Sequence, residues 1–400
     1  MENLLPLLNG YYQRSEGLRQ FLTTNVPRIA SGISTEDLSK FNEYVLTLAM
    51  DLNQTHEKIQ AITKLNREFS RYRYVQGMLE QMTAGLGPKS KYEAKNILER
   101  WLLNLANDEV RSSSSDPIFS TNKLQRDYPA TLKMRSEMDE KAIPQEKIEN
   151  VLRLELEYLN LKDTAGTNRT YPAVSSVRLN DKGVEVSGET FPIFGPRKDL
   201  LLSINPSVEL LALMLVRYGC LLPSGQQWAI PKSVYQHLVS RYNVTVEGFA
   251  SPVNSQIVSV RPDLRFCSLF PDTDVPYGSL GSFFDQSFEG QSVMANPPFV
   301  PAILESTVQH INRICSTATG PVRFFLWVPD WTDADWYQSL LDSRYRAFDM
   351  QLRRGSYHYT DIEGDKVPAN FPSHVFILAN HLQDDYRDFT KRLLDIYRST

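Results

Sequence analysis

Ser292-Val293-Met294-Ala295-Asn296-Pro297-Pro298-Phe299 is the stretch whose reading decides the fold. Val293-Met294-Ala295 is short and apolar, as a buried strand is, and a helical apolar pattern follows over Ile303 to Ile314. Between them stand a hydrogen-bonding amide, two prolines and an aromatic ring. At the end of a strand, the Asn296 side-chain oxygen and the next backbone carbonyl can both accept N–H bonds from an amine on a planar ring. Two prolines stiffen the loop and keep that carbonyl aimed, and Phe299 offers a face on which a flat base can stack. An Asn-Pro-Pro turn ending a strand is also common as plain structure, so the surrounding pattern has to decide.

Working outward, strands are expected at Val244 to Phe249, Leu264 to Leu269, Ser292 to Ala295, Val322 to Val328, Ala347 to Leu352 and His374 to Leu378. Helices are expected between them at Pro301 to Cys315 and Asp333 to Leu341. Alternating strands and helices predict a mostly parallel sheet with helices on its faces, binding ligands at the carboxyl ends of its strands. Three such ends stand out: Phe249-Ala250-Ser251-Pro252-Val253-Asn254, Phe270-Pro271-Asp272-Thr273-Asp274 and Asn296 onward. The first has small residues where a backbone would approach a ligand, and the second offers carboxylates for ribose hydroxyls.

These three motifs in this order resemble the catalytic core of the phosphorylated-CTD-interacting factor family, cap-specific adenosine N6-methyltransferases. The resemblance extends into Phe324 to Trp331, Arg354-Gly355-Ser356-Tyr357-His358 and His374 to Asn380, about the last half of the chain. It implies an α/β fold with a Rossmann-like class I methyltransferase core, a mostly parallel sheet of the seven-stranded type, preceded by a mainly helical domain. It implies S-adenosylmethionine as cofactor and capped mRNA with a 5′-terminal (2′-O-methyl)adenosine as partner. Asn296, Pro297, Pro298 and Phe299 are then the catalytic candidates, and Phe249, Ala250, Ser251, Pro252, Asn254 and Asp272 the cofactor-binding ones. Methylation of another planar nitrogen, in DNA adenine or protein glutamine, and a non-catalytic capped-RNA-binding or scaffold role are the alternatives. Members in animals carry an N-terminal WW domain. Here the only early tryptophan is Trp101, inside a helical pattern, so a form without that domain, microbial or viral, is expected, and polymerase-tail binding is not supported.

The domains expected are 1–165, a helical contributor to the RNA groove, and 166–400, the methyltransferase region with its core at 244–382. In the first half, helices are read after Ser34, over Tyr92 to Leu105 and over Lys147 to Tyr158, with an exposed linker at Ser112 to Pro117. Strands at Val174 to Leu179 and Val184 to Val186 flank Asn180-Asp181-Lys182-Gly183 as a hairpin, and helices return at Val208 to Tyr218 and Val234 to Tyr242. The net charge of −4 gives no global attraction for nucleic acid, so RNA contact must be local. Arg71 and Arg73, within an interleaved basic and aromatic run, and Arg354 and His358, after a late strand, are the substrate-binding candidates. Three separated cysteines and no histidine cluster predict a reducing, intracellular setting, nucleus or cytoplasm left open, and no metal. No apolar run approaches membrane-spanning length, so no membrane partner is expected.

Overall fold

The computed structural model describes residues 16, 60–112, 116–119, 128–163, 173–222, 227–381 and 386–399. The helix expected after Ser34 and the middle of the Ser112–Pro117 linker lie outside them. The rest is a mixed α/β chain: helices first, then a small antiparallel sheet, then a larger mixed one.

The first described helix, α1 (60–83), buries Leu65, Phe69, Met78 and Met82 and stops at Gly85, whose φ of 70° a helix cannot continue through. Helix α2 (Pro88–Ser112) buries Ala94, Ile97, Leu98, Trp101, Leu102, Leu105 and Ala106, the spacing of one helical face. It packs on α3 (Pro129–Glu140), where Trp101 Nε1 donates to Thr131 Oγ1 at 3.3 Å and Arg100 pairs with Glu137 at 2.7 Å. Helix α4 (Glu146–Asp163) closes this layer.

Strands β1 (Val177–Asn180), β2 (Gly183–Val186) and β3 (Glu189–Pro192) form a three-stranded antiparallel meander. The hairpin read around Asn180 is present; β3 is an addition. Its two-residue turn, Ser187-Gly188, has φ of 50° and 89°, the mirror-image turn that matches strand twist. A serine there hides the turn from a reading that looks for Asn-Gly. Helix α5 (Gly195–Ile204) leads to α6 (Val208–Gly219), where Ser207 caps the start and Leu211 through Tyr218 are all buried. Such an all-round apolar helix lies in the interior.

Helix α7 (Lys232–Tyr242) ends at Asn243, left-handed at φ 51°, and feeds the main sheet. Its strands are β4 (Val244–Glu247), β5 (Arg265–Phe266), β6 (Ser292–Ala295), β7 (Arg323–Pro329), β8 (Arg346–Leu352) and β11 (Ser373–Ala379), in the order β5-β4-β6-β7-β11-β8. The first four are parallel; β11 runs antiparallel to both neighbours. The expected parallel core is present, with six strands among the described residues and one reversed. Short helices α8 (Ile257–Val260) and α9 (Pro271–Asp274) flank β5, and a two-stranded ribbon, β9 (His358–Thr360) and β10 (Lys366–Pro368), lies beyond β8.

Alternation along β7 separates two apolar layers. Phe325 and Trp327 face Tyr235, Leu238, Phe389 and Leu393, from α7 and α12 (Phe389–Ser399). Phe324, Leu326 and Val328 face Leu304, Val308 and Ile311 of α10 (Pro301–Thr317) and Leu340 of α11 (Asp335–Leu341). A third cluster runs unbroken from Leu65 to Leu222 and reaches Val253, Phe270, Val300 and Ile303, so the helical half and the sheet share a core.

The linker reading around Ser112 fails at Asp116, which is fully buried. Its Oδ2 accepts from Arg71 at 2.8 Å, Arg67 at 3.0 Å and Tyr158 at 2.9 Å; its Oδ1 accepts the Ile118 and Phe119 amides at 3.0 and 2.9 Å. Burial pushes this carboxyl up, but the Arg71 and Arg67 guanidinium groups outweigh it and hold the group well below the usual carboxylate range. A depressed folded pKa stabilises above the ordinary value of about 3.9, and that contribution is lost on acidification. Asp116→Asn should therefore destabilise the chain by about 3–5 kcal/mol at neutral pH, because the buried Arg71 is left sharing Glu68 with Arg217 and Arg67 loses its carboxylate. Below pH 4 the gap between the two proteins should narrow, measured as urea midpoints across pH.

Candidate functional site

Strands β4 and β6 lie side by side and parallel with Glu247 opposite Met294, so their carboxyl ends emerge together. Gly248 N–H donates to the Met294 carbonyl at 2.6 Å. A Cβ at Gly248 would stand 2.9 Å from Phe283 Cδ2 and 3.3 Å from the Met294 oxygen, so only glycine fits. The neighbouring connection is equally tight: Cys267 N–H donates to the Glu247 carbonyl at 2.8 Å and Ala250 N–H to the Cys267 carbonyl at 3.0 Å. These bonds stack the ends of β5, β4 and β6 around one cavity of about 240 Å³.

All four residues of the Asn-Pro-Pro-Phe turn line it. The Val300 amide donates back to the Pro298 carbonyl at 2.7 Å, and Pro301 starts α10 at a position where no amide donor is needed. Asn296 Oδ1 is buried and has no hydrogen-bond partner. A buried acceptor left open in a cavity wall costs stability and awaits a donor from a ligand or water. The Phe299 ring meets Phe371 edge-on at 5.6 Å. Phe249, Phe283, Phe284 and Trp228 make much of the remaining wall aromatic.

Phe249, Ala250, Ser251 and Asn254 line the cavity as expected; Pro252 is buried but does not. Ser251 and Asn254 spend most of their bonding on the turn itself. Asn254 Oδ1 accepts the Ser251 amide at 2.7 Å, Ser251 Oγ lies 2.9 Å from Gln227 Oε1, and Asn254 Nδ2 donates to the Gln227 carbonyl at 3.2 Å. Their geometry is that of a scaffold pinning the Gln227–Ile230 segment over the pocket.

Asp272 is not in the cavity wall. Its carboxylate takes two bonds of 3.1 Å from the Arg217 guanidinium, so the ribose role expected for it is corrected. The carboxylates that do line the pocket are Glu99 and Glu247. Burial pushes Glu247 up, against donors from Tyr235 at 2.7 Å, the Ile257 amide at 3.1 Å and Ser255 at 2.8 Å. Among the described residues, no Lys, Arg or His lines the cavity.

Of the substrate candidates, Arg71 is fully buried, paired to Glu68 and Asp116, and cannot meet RNA. An alternation of basic and aromatic residues does not say which of two nearby arginines faces inward. Arg73 is exposed, with its guanidinium 4.9 Å from the Phe69 ring centroid. Arg354 is exposed in the turn after β8. His358 is buried edge-on to Tyr397 at 5.4 Å, with its pKa lowered by burial and then by Lys366, so the substrate role expected for it is also corrected. The sequence reading missed the far wall, supplied by Glu99, Leu103 and Asn107 of α2. Their spacing of four was legible as one helical stripe, but nothing in it announced a ligand.

A family described as Phosphorylated CTD interacting factor 1 WW domain matches residues 206–362. The human mRNA (2'-O-methyladenosine-N(6)-)-methyltransferase is 29% identical over 176 residues, 42% of this chain and 24% of that protein. Its mouse counterpart of the same name is 28% identical over 176 residues, again 42% of this chain and 24% of that protein. The alignments thus cover about a quarter of these curated relatives. Residues 206–362 are thus similar to the phosphorylated-CTD-interacting factor family. The expectation of a form without the WW domain is corrected by the description the match carries. In the structure the matched residues hold α6, α7, the four parallel strands, β8 and β9, not a small three-stranded sheet.

Gly248→Ala should cost about 1–3 kcal/mol in denaturant unfolding, because the new methyl meets the Phe283 ring. Adding Phe283→Leu should recover part of that loss; no recovery would place the strain in the backbone instead.

Proposed function

We propose that this chain is an S-adenosylmethionine-dependent RNA methyltransferase that methylates N6 of the cap-adjacent (2′-O-methyl)adenosine of mRNA. The observation that carries the reading is the open, buried Asn296 oxygen beside Phe299 at the carboxyl edge of a parallel sheet. The strand order, with three central parallel strands and one reversed strand before the last, supports a Rossmann-like class I core. In this reading a helical region over 1–165 closes on a methyltransferase region over 166–400. An mRNA substrate implies an intracellular site of action.

The cavity suits the cofactor. Among the described residues its wall is aromatic, with two carboxylates and no cationic side chain, which favours a sulfonium over a phosphate-bearing dinucleotide. S-adenosylmethionine, when bound, supplies a methyl group on a positively charged sulfur and leaves as the neutral thioether. Asn296 Oδ1 accepts one N–H of the adenine amine, and the adjacent backbone carbonyl can take the other. The nitrogen lone pair is thereby drawn out of conjugation with the ring. Phe299 holds the base by stacking. Asn296 and the Pro-Pro turn would hold that nitrogen in line with the methyl group the cofactor would supply, and the amine's extra proton would be lost to solvent. Among the described residues, no histidine or lysine lines the cavity.

Asn296→Ala should lower kcat on the order of a hundredfold, by analogy with removing one oxyanion-hole donor, with cofactor affinity kept. Phe299→Ala should lose stacking of roughly 1–3 kcal/mol and act mainly on the RNA KM. Both are assayed on capped RNA beginning with 2′-O-methyladenosine, with uncapped RNA as control. Full activity in Asn296→Ala would remove this site from the chemistry; equal turnover of the two RNAs would remove the cap requirement. For RNA binding, Arg73→Ala and Arg354→Ala should each flatten the log K against log salt slope by roughly 0.7–0.9. A slope unchanged in both would make those arginines ordinary surface.

A further inference from the structure

The run Phe270 to Asp274 does not reach into the cavity, yet it is tethered beside it by several side-chain bonds. Arg217 of α6 is buried and grips two carboxylates at once. Its Nε and Nη2 donate to Glu68 of α1 at 2.7 and 2.9 Å, and its Nη1 and Nη2 donate to Asp272 at 3.1 and 3.1 Å. Its guanidinium also lies 5.0 Å from the Phe270 ring centroid. The next residue, Tyr218, donates to Asp274 at 2.6 Å and lines the cavity itself. Adjacent residues of one helix thus hold alternate carboxylates of one turn. Ser268 and Leu269, immediately before that turn, form cavity wall.

We propose that Arg217 is a positioning residue: through Glu68 and Asp272 it ties the docking of the helical half to the shape of the cofactor side of the cavity, and so sets affinity for the methyl donor. This rests on the methyltransferase reading above. The chemistry favours a relay over simple glue. A planar guanidinium with two bidentate partners fixes both distance and angle, which a single ion pair or a lysine cannot do. Glu68 and Arg71 belong to the buried cluster around Asp116, so the anchor on the helical side is rigid. Asp272 is half exposed and the buried Arg217 keeps Glu68, so Asp272 can be altered without orphaning a buried charge.

The test uses the full chain carrying Asp272→Asn, Asp272→Glu or Arg217→Lys. It measures S-adenosylmethionine binding by calorimetry, thermal unfolding, and kcat and KM for the donor on capped RNA. Asp272→Asn is expected to weaken donor binding roughly five- to tenfold, the lower range for coupling between sites, with kcat at saturating donor within about twofold. Asp272→Glu should restore most of the affinity, and Arg217→Lys should fall at or below Asp272→Asn. Leu340→Ala, on the far layer of the sheet, controls for plain destabilisation. Wild-type donor affinity in Asp272→Asn would overturn the proposal, as would a loss that Leu340→Ala reproduces at equal loss of thermal stability. Absence of donor binding in the unmodified chain would instead overturn the methyltransferase reading on which it rests.

Discussion

Everything at this site depends on how closely two parallel strands approach where they end. Gly248 bonds Met294 at 2.6 Å, and the Phe283 ring, 2.9 Å from where a Cβ would stand, crowds out a side chain at residue 248. That bond sets the register that brings Phe249 and Asn296 to the same edge. Neither strand exceeds four residues, so a one-residue slip would turn the pocket residues into the sheet faces. The aromatic group of Phe283, Phe249 and Phe284 fills the space the absent side chain leaves, with the Phe249 and Phe283 centroids 4.5 Å apart. Packing here fixes the chemistry because the same atoms serve as core and as wall.

Charge is distributed with an opposite logic. Of the buried arginines, Arg71 is committed to carboxylates within the helical half, and Arg217 joins Glu68 of that half to Asp272 beside the sheet. Among the described residues, the pocket beside them is lined by carboxylates and aromatic faces and by no cation. Burying arginine is tolerable only with its partners in place, so the interface is demanding about geometry while adding little net stability. What it supplies is orientation, and the cavity lies against it.

The sheet was legible because apolar strands alternating with amphipathic helices leave a strong pattern. Asn296-Pro297-Pro298-Phe299 was legible because its residue types carry their chemistry in one short run. The meander's third strand was not, since Ser187 rather than Asn makes the turn. Asp272 misled for a related reason: an acid after a strand reads the same whether it faces a ribose or an arginine 55 positions earlier in the chain. Arg71 and Arg73 differ by two residues, and only helix phase separates a core ion pair from a surface cation. The far wall from α2 depends on long-range packing that no local pattern encodes.

The sheet's two margins have a bearing on how this chain behaves in crowded solution. On one side β5 pairs over only two residues, and the Phe266 bridge to Ser279 covers its outer flank. On the other, β8 presents Arg346, Asp349 and Gln351 along a seven-residue strand whose outward positions are charged or polar. A second chain adding a strand would have to displace a bridge at the first margin and desolvate charges at the second. The architecture that gathers strand ends into a pocket is thereby kept from growing sideways into an aggregate.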